Sequence, residues 1–391
     1  MNFSNPFEFK CPARLLFGID ICENLGEEIK ALNGRRPLVV TDKGIVNAGL
    51  LDRISKLLKQ AAIEFTVFDE VEENPTVATV HKGADLYKSE NCDIIIGLGG
   101  GSSMDAGKAI GVKATHEGEI QKYTRRGGHP IKNIVPPYIA IPTTSGTGSE
   151  VTWVSVVTDP DIKAKTVVAS PFIAPDTSLI DPSLSKTLPP GVTASTGMDA
   201  LTHAVEGYTS LKASPITDTL ALKAIEMIAS NLREAVANGD NMEARSNMML
   251  GSTIAGIAFG NASVGMVHSV AHALGGLFNI AHGIANAIML PHVMQFNLIA
   301  NPPKFGDIAW AMGENIEGLS EMEAARMSVA SVQELSEDVG IPTDLRKLGA
   351  DPSLIEQMTE ETENQVGSLP LNPRRPTRED IIQLFENAFA E

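Results

Sequence analysis

Short runs rich in apolar and β-branched residues alternate with amphipathic stretches along the first half of the chain. The runs predict buried strands at 37–42, 64–68, 93–98 and 138–141. Apolar residues recur at helical spacing between them, over 45–60, 76–89 and 102–115. Alternating strands and helices form a parallel sheet with helices on both faces. We therefore predict an α/β domain, with an extended hairpin at 151–158 and 165–169.

The strand pattern stops at a segment rich in proline, residues 181–191. We place the domain boundary there, which gives an α/β domain over 1–190 and a second domain over 191–391. In the second domain, Ser214 followed by Pro215 predicts the start of a helix. Further helices are predicted at 243–260, 319–338 and 377–390. The second domain is therefore predicted to be all-helical.

The charge balance of the chain bears on the partners it can bind. The chain has 391 residues, with 31 Lys and Arg against 48 Asp and Glu, a formal net charge of −17. Nucleic-acid binding requires a basic surface, so no nucleic-acid partner is expected. An anionic ligand remains possible, because backbone amides at a helix start can hold phosphate.

The cysteines and the apolar runs bear on where the protein resides. Cys11, Cys22 and Cys92 lack CxxC spacing, which excludes a disulfide framework and a cysteine zinc cluster and indicates a reducing compartment. No uncharged apolar run reaches about 18 residues, so no membrane span is expected. We therefore predict a cytoplasmic protein.

A glycine-rich loop follows the strand predicted at 93–98. Gly99, Gly100 and Gly101 let the backbone approach a ligand closely. The helix after them begins with free N–H groups and a positive dipole end, which suits a pyrophosphate.

Two familiar phosphate motifs fit this loop only in part. A P-loop would need glycine at Ser102, and the G-x-G-x-x-G pattern of Gly97 and Gly99 is also interrupted there. The acidic residue usually found downstream has its counterpart upstream, in Asp42 at the end of an earlier strand. A second polar loop, 142–150, also follows a strand. Two such loops at the carboxyl ends of parallel strands predict a nucleotide site.

Five of the eight histidines lie between residues 203 and 292. Asp199 and His203 are four residues apart and share one face of a helix, and His268 and His272 repeat that spacing. His282 follows beyond a predicted helix break. One carboxylate with imidazoles in apolar surroundings suits divalent iron, zinc, nickel or cobalt. Spacing alone does not decide which three of these four histidines bind the metal; the fifth, His292, is predicted to be structural.

Together these motifs resemble the iron-containing (group III) alcohol dehydrogenase family. The resemblance covers essentially the whole chain and is carried by the following segments: Gly99-Gly100-Gly101-Ser102-x-x-Asp105-x-x-Lys108, Pro142 to Glu150, Gly197 to Glu206, His268-x3-His272-x9-His282-Gly283, and Asn372-Pro373-Arg374.

The resemblance implies a nucleotide-binding α/β domain, a helical metal-binding domain, and an active site in the cleft between them. It implies Asp199, His203, His268 and His282 as ligands of Fe²⁺, with Zn²⁺ or Ni²⁺ as alternatives, and leaves His272 as a catalytic proton relay. The residues implied around NAD are Asp42, Asn74, Gly100, Gly101, Ser102, Thr143, Thr144, Thr152, Lys165 and Leu184. Asp42 would accept hydrogen bonds from the 2′-OH of the adenosine ribose and repel a 2′-phosphate, which predicts NAD over NADP.

The implied reaction is NAD-linked interconversion of a small primary alcohol or diol and its aldehyde. The implied substrate pocket contains Val154, Phe259, Met266 and Ser368, and family members form homo-oligomers of two or more subunits. One alternative is a lyase with zinc and catalytic NAD resembling dehydroquinate synthase, which uses a Glu-led ligand set and a basic pocket for a phosphorylated acid. The other is a non-catalytic nucleotide- or metal-binding protein.

Overall fold

The protein is described by a computed structural model that covers residues 6–162 and 164–390. The described chain divides into two compact units. We call Cys11–Thr187 the sheet unit, and residues 6–10 together with 188–390 the helical unit. The sequence places the boundary at 190 and does not predict that residues 6–10 group with the later part of the chain.

The sheet unit contains a six-stranded sheet in the order β1-β8-β5-β4-β2-β3, and every pair in it is parallel. Its strands are β1 Arg14–Phe17, β2 Pro37–Asp42, β3 Thr66–Val71, β4 Ile94–Gly99, β5 Tyr138–Pro142 and β8 Thr177–Ile180. This confirms the predicted parallel α/β fold. The sequence pattern missed β1 and β8, which are only four residues long.

Helices cover both faces of the sheet. They are α1 Leu25–Ala31, α2 Lys43–Asn47, α3 Leu50–Gln60, α4 Val77–Ser89 and α5 Gly101–Thr115. Successive residues of β4 point to opposite faces: Ile95 packs in the cluster with α4 and α5, whereas Ile94 and Ile96 pack with α1 and α3. The prediction of one helix over 45–60 is wrong, because Gly49 adopts φ +74° and separates α2 from α3.

The order in which the chain adds strands to the sheet reverses between β2 and β4. The chain leaves β2 toward β3 on one side and leaves β4 toward β5 on the other, although β2 and β4 are neighbours. Such a switch point opens a crevice outside the carboxyl ends of the two strands, where ligands of open α/β sheets bind. Asp42 ends β2 and Gly99 ends β4, so both stand at this crevice.

The predicted hairpin forms a separate antiparallel pair, β6 Val154–Asp159 and β7 Ala164–Ala169. Thr158 N–H donates to the carbonyl of Pro75 at 2.8 Å. The hairpin is thereby tied to the loop that precedes α4.

The helical unit contains no strand among its described residues. Its helices are α6 Pro190–Thr209, α7 Pro215–Ala237, α8 Met242–Ala262, α9 Met266–Phe278, α10 His282–Asn297, α11 Pro302–Ala311, α12 Glu321–Asp338, α13 Ile355–Glu363 and α14 Arg378–Ala390. The predicted cap at Ser214 is confirmed: its hydroxyl accepts from Thr217 N–H, and the Thr217 hydroxyl accepts from Ser214 N–H. One continuous core of apolar side chains unites these helices.

The break between α9 and α10 lies at Asn279, which adopts the left-handed conformation with φ +54°. Beyond it, α10 approaches α6 closely at Gly283, where an added Cβ would lie 2.3 Å from the carbonyl oxygen of Ser195. Only glycine permits this approach, which brings the start of α10 next to the turn of α6 that carries Asp199.

The segment His282–Ala300 has the length and composition of a membrane span, with mean hydropathy 1.2 over the best window. Buried residues make up 61% of that window. Its apolar character is therefore explained by its position in the core of the helical unit.

Lys10 is joined to α8 by a reciprocal pair of hydrogen bonds. Lys10 N–H donates to Asn261 Oδ1 at 2.7 Å, and Asn261 Nδ2 donates to the Lys10 carbonyl at 2.9 Å. These two bonds join positions 251 residues apart in the sequence.

Candidate metal centre and nucleotide loops

Three of the four predicted metal ligands converge in the helical unit. One donor atom from each of Asp199, His268 and His282 lies within 4.8 Å of the other two. The three residues come from α6, α9 and α10, so the close approach of α10 to α6 at Gly283 contributes directly to the cluster.

The fourth predicted ligand, His203, lies one helical turn after Asp199. Its Nδ1 is 3.9 Å from Asp199 Oδ2, and its ring is 4.5 Å from that of His268. The Phe259 ring stacks on the His203 ring, with the ring centroids 4.2 Å apart and the planes nearly parallel. Phe259, which the resemblance placed in the substrate pocket, therefore also fixes the plane of the His203 imidazole.

The donor set fits a divalent transition metal. Two donors on one ion at about 2.1 Å each lie no more than about 4.2 Å apart, and His282 Nε2 is 3.9 Å from Asp199 Oδ1. The set of one carboxylate and imidazole nitrogens suits iron, zinc or nickel rather than magnesium or calcium.

Glu206 supports the cluster from behind, a role that the sequence motif did not reveal. Its Oε2 is 2.6 Å from His268 Nδ1, and its Oε1 accepts from Val267 N–H at 2.6 Å. A carboxylate on Nδ1 places the proton there and leaves the Nε2 lone pair for a metal. Asp199, His203 and Glu206 follow at positions i, i+4 and i+7 of α6, so their spacing was the available signal.

Asn286, also unforeseen, lies on α10 one turn after His282 and is fully buried. Its Nδ2 is 2.6 Å from Asp199 Oδ1, 3.3 Å from His268 Nε2 and 3.2 Å from His282 Nε2. The amide thus contacts the donor atoms of all three converging residues.

His272 stands at the edge of the cluster and is partly exposed. Its ring stacks on that of His282 with centroids 5.3 Å apart and lies 6.4 Å from the His268 ring. Gln365 Oε1 is 3.3 Å from His272 Nδ1. His272 therefore lies next to the candidate ligands, but it is not one of the three residues whose donor atoms converge.

In the sheet unit, Asp42 uses both carboxylate oxygens. Oδ1 accepts from Ile45 N–H at 3.0 Å and caps α2, and Oδ2 accepts from the Ser103 hydroxyl at 2.9 Å. The Ser103 contact links the end of β2 to the first turn of α5, across the switch point. Each oxygen retains a second lone pair, so the carboxylate can still accept from a ligand hydroxyl.

The start of α5 is suited to an anion. Among the described residues no side chain caps this helix, since its N-cap residue is Gly100. An added Cβ at Gly99 would lie 2.7 Å from Ser103 Oγ, and one at Gly101 would lie 2.8 Å from Thr147 Cγ2. Glycine is therefore required for the backbone to pass here, and the N–H groups of the first turn stay available to a pyrophosphate.

The hydroxyls of Thr143 and Thr144 provide an independent sign of a ligand. Both oxygens are buried and have no hydrogen-bond partner within the described chain. Buried polar groups are rarely left unsatisfied. These hydroxyls follow β5 at the same sheet edge, so a bound nucleotide would satisfy them.

The other predicted nucleotide residues occupy varied positions in the sheet unit. Asn74 is half-buried in the loop after β3, and the Ser102 hydroxyl donates to the Glu73 carbonyl beside it. Thr152 lies just before β6, Lys165 lies in β7, and Leu184 is fully buried after β8.

A buried ion pair anchors the second polar loop to α5. Lys108 Nζ donates to the Ser149 and Val154 carbonyls at 2.7 and 2.9 Å and lies 3.7 Å from Asp105 Oδ1. Asp105 accepts from the Ser149 hydroxyl at 2.6 Å. Burial raises the pKa of Asp105 and lowers the pKa of Lys108, and the opposite charge of each partner counteracts both shifts.

The predicted substrate-pocket residues are divided between the units. Val154 begins β6 in the sheet unit, whereas Phe259, Met266 and Ser368 belong to the helical unit. Met266 is fully buried at the start of α9, and the Ser368 hydroxyl is 2.7 Å from that of Ser269. Their contact with a substrate stays a prediction.

Comparison with known proteins covers both units. Residues 12–182 match the family model described as iron-containing alcohol dehydrogenase, and residues 193–389 match the model for the C-terminal part of the Fe-containing alcohol dehydrogenase family.

Individual relatives align over nearly their whole length. The chain is 46% identical to a 1,3-propanediol dehydrogenase of Citrobacter freundii, over 98% of this chain and 99% of that protein. It is 38% identical to an NAD-dependent methanol dehydrogenase of Bacillus methanolicus, over 97% and 99%. A crystal structure of a 1,3-propanediol oxidoreductase superposes with a TM-score of 0.96 at 45% identity, and covers 98% of this chain and 100% of that one.

Proposed function

This chain belongs to the iron-containing alcohol dehydrogenase family. On that basis we propose which of its residues bind the metal and NAD, and which class of substrate it takes. The protein is an NAD-dependent oxidoreductase that acts on CH–OH groups and interconverts an alcohol or diol and its aldehyde. NAD and iron fit this chain as cofactors. Membership in this family favours the dehydrogenase over the lyase and the non-catalytic alternative.

The helical unit supplies the metal ligands in this proposal. Asp199, His203, His268 and His282 would hold the ion, and the converging donor atoms of three of them carry the assignment. When bound, the metal supplies Lewis-acid chemistry for the substrate oxygen. Glu206 keeps the His268 proton on Nδ1 and its Nε2 directed at the ion.

The sheet unit would bind NAD. The first turn of α5 receives the pyrophosphate, and the Thr143 and Thr144 hydroxyls gain hydrogen-bond partners from the nucleotide. NAD supplies hydride chemistry, and the protein contributes binding and orientation. The unsatisfied hydroxyls support this assignment because they lie at the carboxyl end of β5, at the sheet edge where a nucleotide would supply their missing partners.

The substrate in this proposal is a small primary alcohol or diol, consistent with the relatives named as propanediol and methanol dehydrogenases. The test uses anaerobically purified protein with its metal assayed, a panel of short alcohols and diols, and absorbance of NADH. We expect NADH formation with at least one short primary alcohol or diol. A metal-loaded protein that forms no NADH with any of them would contradict the proposed substrate class.

We also propose a cytoplasmic homo-oligomer. The three cysteines are free, which is consistent with a reducing compartment. Strand β1 is at the sheet edge and leaves Leu15 and Phe17 exposed, so it offers a surface for self-association.

Asp42 is expected to set the preference for NAD. Its carboxylate would repel a 2′-phosphate, so Asp42→Gly should shift the ratio of kcat/KM toward NADP by about tenfold or more, which corresponds to about 1.4 kcal/mol. Because Asp42 also caps α2, Asp42→Asn serves as the matched variant that can keep a cap oxygen and removes the charge. A wild-type enzyme that prefers NADP, with that preference unchanged in Asp42→Gly, would refute the assignment.

His272 is proposed as a proton relay next to the metal ligands. His272→Ala is expected to keep the metal and to lower kcat by about 10²- to 10⁴-fold, the usual contribution of a proton-transferring side chain. Metal content and kcat are measured on the same preparation. Loss of the metal would instead make His272 a ligand.

A further inference from the structure

The side-chain amide of Asn286 makes contacts that neither the backbone hydrogen bonds of a helix nor packing in an apolar core accounts for. It is fully buried in α10, and its side-chain nitrogen is directed into the space between three candidate metal ligands. Burial of an amide is costly unless its groups are hydrogen-bonded. These contacts therefore offset much of the cost of placing a polar side chain here.

The chemistry of the contacts fixes the orientation of the amide. The oxygen Asp199 Oδ1 is 2.6 Å away and can only accept, so the group that faces it must be the NH2 of Asn286. The reverse orientation would bring two acceptor oxygens together. The Oδ1 of Asn286 accordingly points away and has no hydrogen-bond partner among the described residues.

The same NH2 selects one state of the histidines around it. One of its two hydrogens bonds Asp199 Oδ1, so the other is shared between the two imidazole nitrogens within reach, Nε2 of His268 and of His282, and each accepts it only where it carries a lone pair. For His268, the carboxylate of Glu206 on Nδ1 favours the same tautomer. Glu206 from behind therefore holds the His268 proton on Nδ1, and Asn286 from the front holds the Nε2 lone pair pointing into the centre until an ion takes the place of the amide hydrogen.

We propose that Asn286 is a positioning residue that holds Asp199, His268 and His282 convergent in the metal-free protein, so that the ion meets a preformed site. The inference rests on the ligand set of the proposed function. It assigns Asn286 no contact with substrate or NAD. Its effect is expected in metal affinity, because ligands that are already convergent need not be ordered when the ion binds.

The experiment measures the Kd for Zn²⁺ by competition with a chromophoric chelator on the full-length, metal-stripped protein. Asn286→Ala is expected to weaken Zn²⁺ binding by about 10- to 100-fold, the range typical for partners of metal ligands. The matched control is Asn247→Ala, which removes another side-chain amide pair of the helical unit, the bond from Asn247 Nδ2 to Asn231 Oδ1. The control should keep the wild-type Kd.

Asn286→Asp provides a second, isosteric variant. It places a carboxylate against Asp199, so the metal-free variant should melt below the wild type, and Zn²⁺ should raise its Tm by more than it raises that of the wild type. An unchanged Kd in Asn286→Ala, or a rise in Tm no larger than in the wild type for Asn286→Asp, would overturn the proposal.

His268→Ala, measured in the same assay, separates this inference from the proposed function. If His268→Ala loses Zn²⁺ while Asn286→Ala keeps it, the ligand set stands and the role of Asn286 is refuted. If both variants bind Zn²⁺ like the wild type, the ligand set itself is wrong.

Discussion

His268→Ala is expected to lose the bound metal and the turnover together. His268 contributes one of three converging donors, is nearly fully buried, and has its other nitrogen engaged by Glu206. Its removal deletes a proposed ligand and leaves the Glu206 carboxylate buried without its imidazole partner. Iron content should fall below one tenth of the wild-type value, and kcat with NAD should fall by at least about 10³-fold. Metal analysis and NADH absorbance on the same sample check both.

The control for this prediction is His292→Ala, on the same helix as His282 but outside the converging group. It should retain metal and activity close to the wild type. If His268→Ala keeps a full complement of iron, His268 is not a ligand. Full turnover by a variant that has lost its iron would contradict the metal's role in the reaction.

Lys108→Met is expected to destabilise the sheet unit strongly. It removes the positive partner of Asp105 in a buried site, which leaves a charge without compensation and should cost about 3–5 kcal/mol in the free energy of unfolding. Lys108 also holds the Ser149 and Val154 carbonyls, so the loop next to Thr152 should loosen and the KM for NAD should rise. Urea unfolding and NAD kinetics measure the two effects.

The pH dependence of this variant has a definite sign. Burial already raises the pKa of Asp105, and loss of Lys108 removes the charge that counteracts the shift. A carboxyl whose folded pKa lies above its unfolded value favours the folded state most at low pH, and that advantage is lost as the pH rises through the folded pKa. Lys108→Met should therefore fall further below the wild type at pH 7 than at pH 5.

Two comparisons make the result specific to the buried pair. Lys113→Met lies in the same helix and removes a partly exposed lysine, so it should change stability little. The double variant Asp105→Asn, Lys108→Met removes both charges of the pair and should recover part of the lost stability. A double variant less stable than Lys108→Met would show that the uncompensated charge is not the cause.

Local patterns were sufficient for most of the fold. The run at 93–98 is buried on both faces as β4, and Ser214 with Pro215 starts α7 as predicted. The sequence does not predict strands β1 and β8, because four residues give too short a pattern and the exposed β1 does not alternate clearly. The apolar spacing predicts one helix through Gly49, because a left-handed backbone leaves no mark in that spacing.

Local spacing also predicts that Asp199 and His203 share one face of a helix, and α6 carries both, with His203 Nδ1 3.9 Å from Asp199 Oδ2. The support from Glu206 joins α6 to α9 across 62 residues, and that from Asn286 joins α10 to α6 across 87. Both depend on how the helices pack. Asn286 lies four residues after His282, and Glu206 seven after Asp199, so each shares a face with a candidate ligand. What the spacing could not supply was the partner on another helix.

The bonds between Lys10 and Asn261 have a consequence for synthesis on the ribosome. At about 5–20 residues per second, Asn261 is made roughly 13–50 s after Lys10. The sheet unit, which ends at Thr187, is completed within that interval and can fold first. Lys10 must wait for α8 before it gains its two hydrogen bonds with Asn261. Lys10, although made early, is therefore among the later residues to find its native partner.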